Sequence, residues 1–315
     1  MKCFVTGANG YIGRSLLKRL VQQHHQVIGL LHKTIPRQKE NGVTYLQGNV
    51  AEPESFRSFL KDCDVVFHCA AKVSDYGSKK EFYDVNVLGT KKLVEACMKY
   101  DIGQFIYLSH LPYETSNRPS LYSKTKQIAE SQILKMYRKT GFPSTIIRPG
   151  NVFGPGDATW VTVPVDAINK KRLLLIDNGQ GIFLHTYIEN LLDALMLCIY
   201  EPESIGEIII ITDGDNSISW GTYFNDLATI LEKGPLQRSI PKFTAKLVGA
   251  CMIKLLPPLG ITPWISPLAV DILTNKNTYT LEETKNIIDY EPKIKYSEAM
   301  EHIATWIKNE YMIKK

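Results

Sequence analysis

The sequence predicts an α/β protein: a doubly wound parallel sheet followed by a smaller, discontinuous C-terminal lobe. Three observations carry that prediction. Short apolar runs alternate with helical patterns through the first half, a glycine-rich turn joins the first run to the first helix, and the alternation breaks down after residue 150, where prolines become frequent. Runs of this length, separated by helices, form a parallel sheet covered on both faces.

The runs are Cys3-Phe4-Val5, Val27-Ile28-Gly29-Leu30-Leu31, Val43-Thr44-Tyr45-Leu46, Val65-Val66-Phe67, Phe105-Ile106-Tyr107-Leu108 and Thr145-Ile146-Ile147. Between the first two, Ile12, Leu16, Leu17, Leu20 and Val21 make an apolar stripe at helical spacing, so this helix packs back onto the sheet. Further helices are expected over 53–61, 81–100 and 121–140. His24 and His25, at the end of the first helix, read as polar caps and not as ligands. Past residue 150, Glu207-Ile208-Ile209-Ile210-Ile211 reads as an isolated strand. The stretch 245–273 is the most apolar part of this half, broken by Lys254, Pro257-Pro258 and Pro263. It reads as the wall of a pocket between lobes, with a peripheral membrane contact as the alternative.

With 315 residues, 44% of them hydrophobic, the chain can bury a full core. Its net charge of +5 comes from 37 basic and 32 acidic residues. Clusters such as Lys79-Lys80, Lys91-Lys92 and Lys170-Lys171-Arg172 are short and dispersed, which argues against nucleic acid as a partner and reads each cluster as solvated surface. The six cysteines, Cys3, Cys63, Cys69, Cys97, Cys198 and Cys251, lack the paired spacing of zinc or redox sites. They are expected to be reduced, buried thiols of a cytoplasmic protein, and no His, Cys and carboxylate cluster has metal spacing. The first strand starts almost at Met1, so no signal peptide is expected, and no apolar run reaches the roughly 18 to 20 residues of a spanning helix. A Ser-His-Asp hydrolase lacks support, for there is no G-x-S-x-G elbow.

Thr6-Gly7-Ala8-Asn9-Gly10-Tyr11-Ile12-Gly13 places its glycines between the first strand and the first helix. There the backbone N–H groups can approach a pyrophosphate, favoured by the positive end of the helix dipole. The loop therefore predicts a dinucleotide site. The second run ends in Leu31-His32-Lys33, with Arg37 and Lys39 soon after and no carboxylate to take a ribose 2′-hydroxyl. That favours NADP over NAD, unless these bases are only a solvated loop. Farther on, Tyr122 and Lys126 stand four residues apart, on one face of the helix expected over 121–140. An ammonium beside a phenol favours the phenolate, so the Tyr122 pKa is expected to fall toward a value useful for exchanging a proton with a substrate oxygen.

The T-G-x-x-G-x-x-G spacing and the Tyr122/Lys126 pair resemble the extended short-chain dehydrogenase/reductase family, within the NAD-dependent epimerase/dehydratase superfamily. The likeness continues through His68-Cys69-Ala70-Ala71, Asn86-Val87-Leu88-Gly89-Thr90, Arg148-Pro149-Gly150-Asn151-Val152-Phe153-Gly154-Pro155-Gly156-Asp157 and His185-Thr186-Tyr187-Ile188-Glu189-Asn190. Ala70-Ala71-Lys72 followed by Tyr76-Gly77, and Tyr290-Glu291-Pro292 before a final helix with Trp306, are most similar to the branch of 3β-hydroxysteroid dehydrogenase-like, 2-alkyl-3-oxoalkanoate and dihydroflavonol reductases. The resemblance implies a Rossmann-type dinucleotide-binding domain over 1–150, to which some later segments return, and a mainly substrate-binding lobe over 151–315. It also implies oxidation or reduction of a hydroxyl or ketone on a largely apolar small molecule.

For the cofactor the resemblance implies contacts from Gly7, Asn9, Gly10, Tyr11, Ile12 and Gly13, from His32, Lys33 and Arg37, and from Asn49 and Val50. Ala70, Ala71 and Lys72 would lie along it, with Pro149 and Val152 at the nicotinamide end. Tyr122 would transfer the proton, Lys126 would hold the nicotinamide ribose, and Asn86 would support the site. Two positions depart from the pattern. The usual serine after the fifth strand falls on His110, so that Ser109 shifts into the role, His110 donates instead, or the chemistry is lost. Asn49 stands where the family often carries Asp for the adenine amino group, though its amide oxygen can still accept. His185 is expected either to line the pocket or to be a satisfied core histidine. A nucleotide-sugar epimerase or dehydratase with tightly held NAD, and an NADP-binding sensor or scaffold, are the alternative functions, and a homodimer is an expectation of the resemblance.

Overall fold

The computed structural model describes residues 1–35, 39–74, 76–112 and 119–313. The six expected runs become strands β1 (Lys2–Thr6), β2 (Gln26–Leu31), β3 (Val43–Gln47), β4 (Val65–His68), β5 (Gln104–Leu108) and β6 (Ser144–Pro149). A seventh strand, β7 (Ile208–Ile211), comes from the second half of the chain and pairs with β6, Ile208 opposite Ile146. The sheet is parallel in the order β7-β6-β5-β4-β1-β2-β3. Side chains alternate across it: Cys3 and Val5 enter one apolar layer, and Phe4 the other. The first layer contains Leu16, Leu17 and Leu20 of helix α1 (Tyr11–Gln22), packed with the helix Ile188–Tyr200. On the opposite face lie Leu93, Val94 and Cys97 with Ala129 and Ile133 of helix α2 (Leu121–Thr140). This is a doubly wound, Rossmann-type α/β fold.

Local chemistry sets the helix ends. Helix α1 stops where His24 turns to φ +61°, letting the His25 N–H reach the Leu20 carbonyl at 3.0 Å. Ser120 caps α2 by accepting from the Ser123 N–H at 3.0 Å, and Gly141 ends it at φ +71°. Two expectations need correction. In place of a helix over 53–61 there are two 3₁₀ turns, Pro53–Ser55 and Arg57–Leu60, because Phe56 breaks out at φ −143° to stack on Phe4, ring centroids 5.6 Å apart. The helix expected over 81–100 starts earlier, where Ser78 and Glu81 form a reciprocal cap, and it passes through a π-helical segment, Tyr83–Gly89, before Thr90–Met98.

The remaining structure is mainly helical, with two short parallel pairs, Asn151–Phe153 beside His185–Tyr187 and Leu175–Ile176 beside Ser239–Ile240. Four cysteines are buried as expected, but Cys69 is half-buried and Cys251, on helix α3 (Lys242–Leu255), is exposed. Among the described residues no helix is long and apolar enough to cross a membrane.

Candidate active site

One continuous cleft of ≈ 1830 Å³ runs from the carboxyl ends of β1, β2, β4, β5 and β6 into the second half of the chain. Its first wall is the glycine loop. Gly7 holds φ +69°, and a Cβ there would meet the Ala70 backbone nitrogen at 2.7 Å; a Cβ on Gly13 would meet the Gly7 carbonyl oxygen at 2.2 Å. The tight turn therefore cannot be built from larger residues. Gly10 begins α1 without a side-chain cap, and the first turn carries no acid. Its free N–H groups, with Asn9, Tyr11 and Ile12 on the same wall, suit a pyrophosphate in chemistry and space.

The turn after β4 is held by a buried chain of hydrogen bonds. Thr90 Oγ1 donates to the Asn86 carbonyl at 2.8 Å and so accepts from His68 Nε2 at 2.9 Å. That leaves His68 Nδ1 to accept from Thr6 Oγ1 at 2.7 Å, while the Ala70 N–H donates to Thr6 Oγ1 at 3.1 Å. Burial and the Lys126 charge push the His68 pKa down to about 3, keeping the ring neutral. Ala70 and Ala71 line the cleft beyond this turn, whereas Lys72 does not; the Asn86 side chain accepts from the Lys72 N–H at 2.7 Å and donates to Thr125 Oγ1 at 3.0 Å. Asn86 thus ties the β4 turn to α2.

At the far end of β2, His32 and Lys33 are exposed on the cleft wall with Thr34, and Arg37 lies outside the described residues. Lys39 is turned over the Tyr45 ring, 5.9 Å from its centroid. Asn49 and Val50 line the cleft as well, but the Asn49 amide oxygen already accepts from the Ala51 N–H at 3.0 Å. Pro149 and Val152 are on the wall at the other end.

Helix α2 presents Tyr122, Lys126 and Glu130 at four-residue intervals. Tyr122 lines the cleft; Lys126 is buried behind it, its ammonium donating to the Leu108 carbonyl and resting 4.1 Å from the Tyr107 ring centroid. Burial draws the Lys126 pKa down to about 7, against the opposing charge of Glu130. The expected fall in the Tyr122 pKa is absent: burial holds the phenol above its ordinary value, and the Lys126 ammonium is committed to Leu108. Glu130, missed in the sequence, makes a two-pronged pair with Arg148 of β6 at 2.9 and 2.6 Å. Burial favours the neutral acid, but the Arg148 hydrogen bonds and charge outweigh it and keep Glu130 below its usual pKa.

Ser109 and His110 both reach the cleft wall, in different settings. The Ser109 hydroxyl is buried at the Glu130–Arg148 pair, where it helps hold the carboxylate charged and makes no hydrogen bond of regular geometry. The His110 ring packs on the Tyr122 ring, centroids 5.0 Å apart, and its Nε2 is 2.9 Å from Ser123 Oγ. Ser120 Oγ donates to Ser123 Oγ at 3.2 Å, so the Ser123 hydroxyl is free to donate to Nε2, which puts the proton on Nδ1. Nδ1 is buried and without a partner among the described residues. Burial and the Lys126 charge lower the His110 pKa to about 4. Ser123 carried no signal in the sequence beyond its place beside Tyr122.

The deeper half of the cleft is largely apolar, with Trp160, Leu173, Ile176, Phe224, Ile265 and Ile272 on its walls. Lys170, Lys171 and Arg172 remain exposed, as expected of solvated charges, yet they also rim this cleft together with Arg238. The part of 245–273 that forms wall is 262–273. His185 is a buried histidine away from the cleft; its Nδ1 lies 2.9 Å from the Phe183 carbonyl oxygen.

A family model for the NAD dependent epimerase/dehydratase family matches residues 3–212. The chain is similar to a 2-alkyl-3-oxoalkanoate reductase of Stenotrophomonas maltophilia, 26% identical over 328 residues that cover 96% of this chain and 98% of that protein. It is also 25% identical to the sterol-4-alpha-carboxylate 3-dehydrogenase, decarboxylating, of Mus musculus, across 95% of this chain and 89% of that protein. Among solved structures, the UDP-glucose 4-epimerase of Thermotoga maritima has a TM-score of 0.80 at 18% identity, covering 99% of this chain and all 100% of that one. That last likeness shows the fold alone.

Proposed function

The chain belongs to the NAD dependent epimerase/dehydratase family, and from that premise we propose that it is an NADP-dependent oxidoreductase interconverting a ketone and a secondary alcohol on a largely apolar substrate. The observation that carries this reading is the placing of Tyr122 on the wall of the cleft that the glycine loop also lines, next to an apolar chamber. The reductase and dehydrogenase named above, which match nearly the full chain, support the same chemistry. His32 and Lys33, without a carboxylate beside them, support NADP.

The nicotinamide, when bound, would supply or accept the hydride. Tyr122 exchanges a proton with the substrate oxygen. Lys126 would reach the nicotinamide ribose by giving up its contact with the Leu108 carbonyl, and Asn86 fixes the turn between β4 and α2. Of the two candidates for the second hydrogen bond to that oxygen, His110 is favoured because its ring lies against Tyr122, whereas the Ser109 hydroxyl lies at the Glu130–Arg148 pair. Two donors aimed at a developing oxyanion stabilise the transition state more than the ground state.

The test combines binding and turnover. Purified protein should bind NADPH more tightly than NADH, and Tyr122→Phe should lower turnover of any active ketone by at least about a hundredfold while cofactor affinity is kept. Unchanged turnover in Tyr122→Phe would sink the assignment. A protein that purifies with non-exchanging NAD would instead support a sugar epimerase or dehydratase, and NADPH binding without turnover across ketone and alcohol panels would leave a sensor.

A further inference from the structure

Helix α3 is built inside out. Its inward residues are small: Ala245 and Gly249 are buried, and a Cβ on Gly249 would stand 3.0 Å from the Ser266 backbone. Its outward face repeats every fourth residue as Phe243, Leu247, Cys251 and Leu255, and Phe243 is 79% exposed. The exposed apolar surface continues past the helix through Leu259, Ile261 and Trp264. No interior contact accounts for side chains of this size facing water.

Charge distinguishes what could cover them. Between Glu232 and Asp271 the chain has no acidic residue but five bases: Lys233, Arg238, Lys242, Lys246 and Lys254. Lys242 and Lys246 approach Asp271, at 3.9 and 2.6 Å; Lys233, Arg238 and Lys254 have no acidic partner among the described residues. A second copy meeting this face about a two-fold axis would add a second set of the bases that Asp271 does not offset, and no acid between Glu232 and Asp271 to pair them. An anionic lipid surface offers an apolar layer for the stripe and negative headgroups for the bases.

We infer that this face docks on an anionic bilayer surface, lying on it without spanning it. Trp264 links the face to the site, for it is 70% exposed and also lines the apolar half of the cleft with Thr262 and Pro263. Docking therefore sets the mouth of the cleft against lipid, and an apolar substrate dissolved there enters without crossing water. Substrate delivery rests on the proposed function; docking does not.

Flotation of the full chain with vesicles tests docking without cofactor or substrate. Vesicles with roughly one-third phosphatidylglycerol in phosphatidylcholine should carry the wild type, and pure phosphatidylcholine should bind it at least about tenfold more weakly. The double variant Phe243→Glu with Leu247→Glu, both residues exposed, should lose at least about tenfold in partition while keeping its Tm and its NADPH affinity. Brominated acyl chains should quench tryptophan fluorescence in the wild type and much less in Trp264→Phe. The inference is overturned if the anionic vesicles float without the protein, or if the double variant binds them as the wild type does. It is also overturned if light scattering shows a lipid-free dimer that the double variant converts to monomer. NADPH binding and ketone turnover, measured on the same samples in detergent-free buffer, report separately on the proposed function.

Discussion

Lys126 carries a burial cost. Its pKa in the folded protein is about 7, against an ordinary value of 10.5, chiefly because burial disfavours the ammonium. Between those two values the unfolded chain binds more protons than the folded one, so this residue's contribution to stability rises with pH from about 7 upward. Buried thiols such as Cys97, raised by burial, act in the opposite direction once the unfolded thiol ionises, above its ordinary value of 9.0. The difference between wild type and Lys126→Met isolates the lysine. In urea titrations the wild type should gain on the variant by up to about 1.4 kcal/mol per pH unit between pH 7 and 9. A pH-independent difference would mean that Lys126 is not buried in this way. At the neighbouring position, Ser123→Ala removes the donor to His110 Nε2 and frees that nitrogen to carry the proton. If His110 serves the substrate oxygen through Nδ1–H, kcat should drop by about tenfold with KM little changed, since one hydrogen bond contributes about 0.5 to 1.5 kcal/mol.

Along a single element, α2 shows what was legible in the sequence. Tyr122 and Lys126 could be paired because helix geometry alone puts residues four apart on one face. Glu130 extends the same face by another turn, but its partner Arg148 is on β6, and a contact between distant segments leaves no local pattern. The pair is buried on the acid side, Glu130 being 4% exposed. Glu130→Gln should therefore destabilise the protein by about 1.5 to 3 kcal/mol, read from urea midpoints, because part-exposed Arg148 keeps an amide acceptor but loses its charged partner. Adding Arg148→Met should recover much of the loss; an additive double variant would argue that the two do not interact. The same limit explains the sequence's failures. The break at Phe56 depends on Phe4, a residue of distant strand β1, and the charged state of Glu130 beside Ser109 depends on Arg148 of β6. Strands β1, β2, β4, β5 and β6 were legible because a strand buried on both faces is largely apolar, whereas β3, at the sheet edge, is only part-buried. The inverted face of α3 was visible only as hydrophobic content, since periodicity reports an apolar stripe and not which way it faces.

Across the molecule, the cofactor end of the cleft separates two tasks that a pair of substitutions can distinguish. In the proposed function the glycine loop would set whether any dinucleotide is held, since a Cβ on Gly13 would stand 2.2 Å from the Gly7 carbonyl oxygen and disturb the turn. In the proposed function the end of β2, in another loop, would set which one, through His32 and Lys33 on the cleft wall. Gly13→Ala should weaken NADPH and NADH alike. Lys33→Asp, at an exposed position, should leave the Tm unchanged and supply a carboxylate that accepts from the ribose 2′-hydroxyl. A charge-assisted hydrogen bond contributes about 1.5 to 3 kcal/mol, so the ratio of NADH to NADPH dissociation constants should fall by about tenfold to a hundredfold in Lys33→Asp. Because Lys33 is exposed, the wild-type preference should also shrink as salt is raised, whereas the affinity for NADH, which lacks the 2′-phosphate, should respond less. Fluorescence titrations with both cofactors at low and high salt measure each quantity. A wild type that holds NADH and NADPH equally at low salt would remove the basic end of β2 from the selection and leave the glycine loop as the whole of the cofactor site.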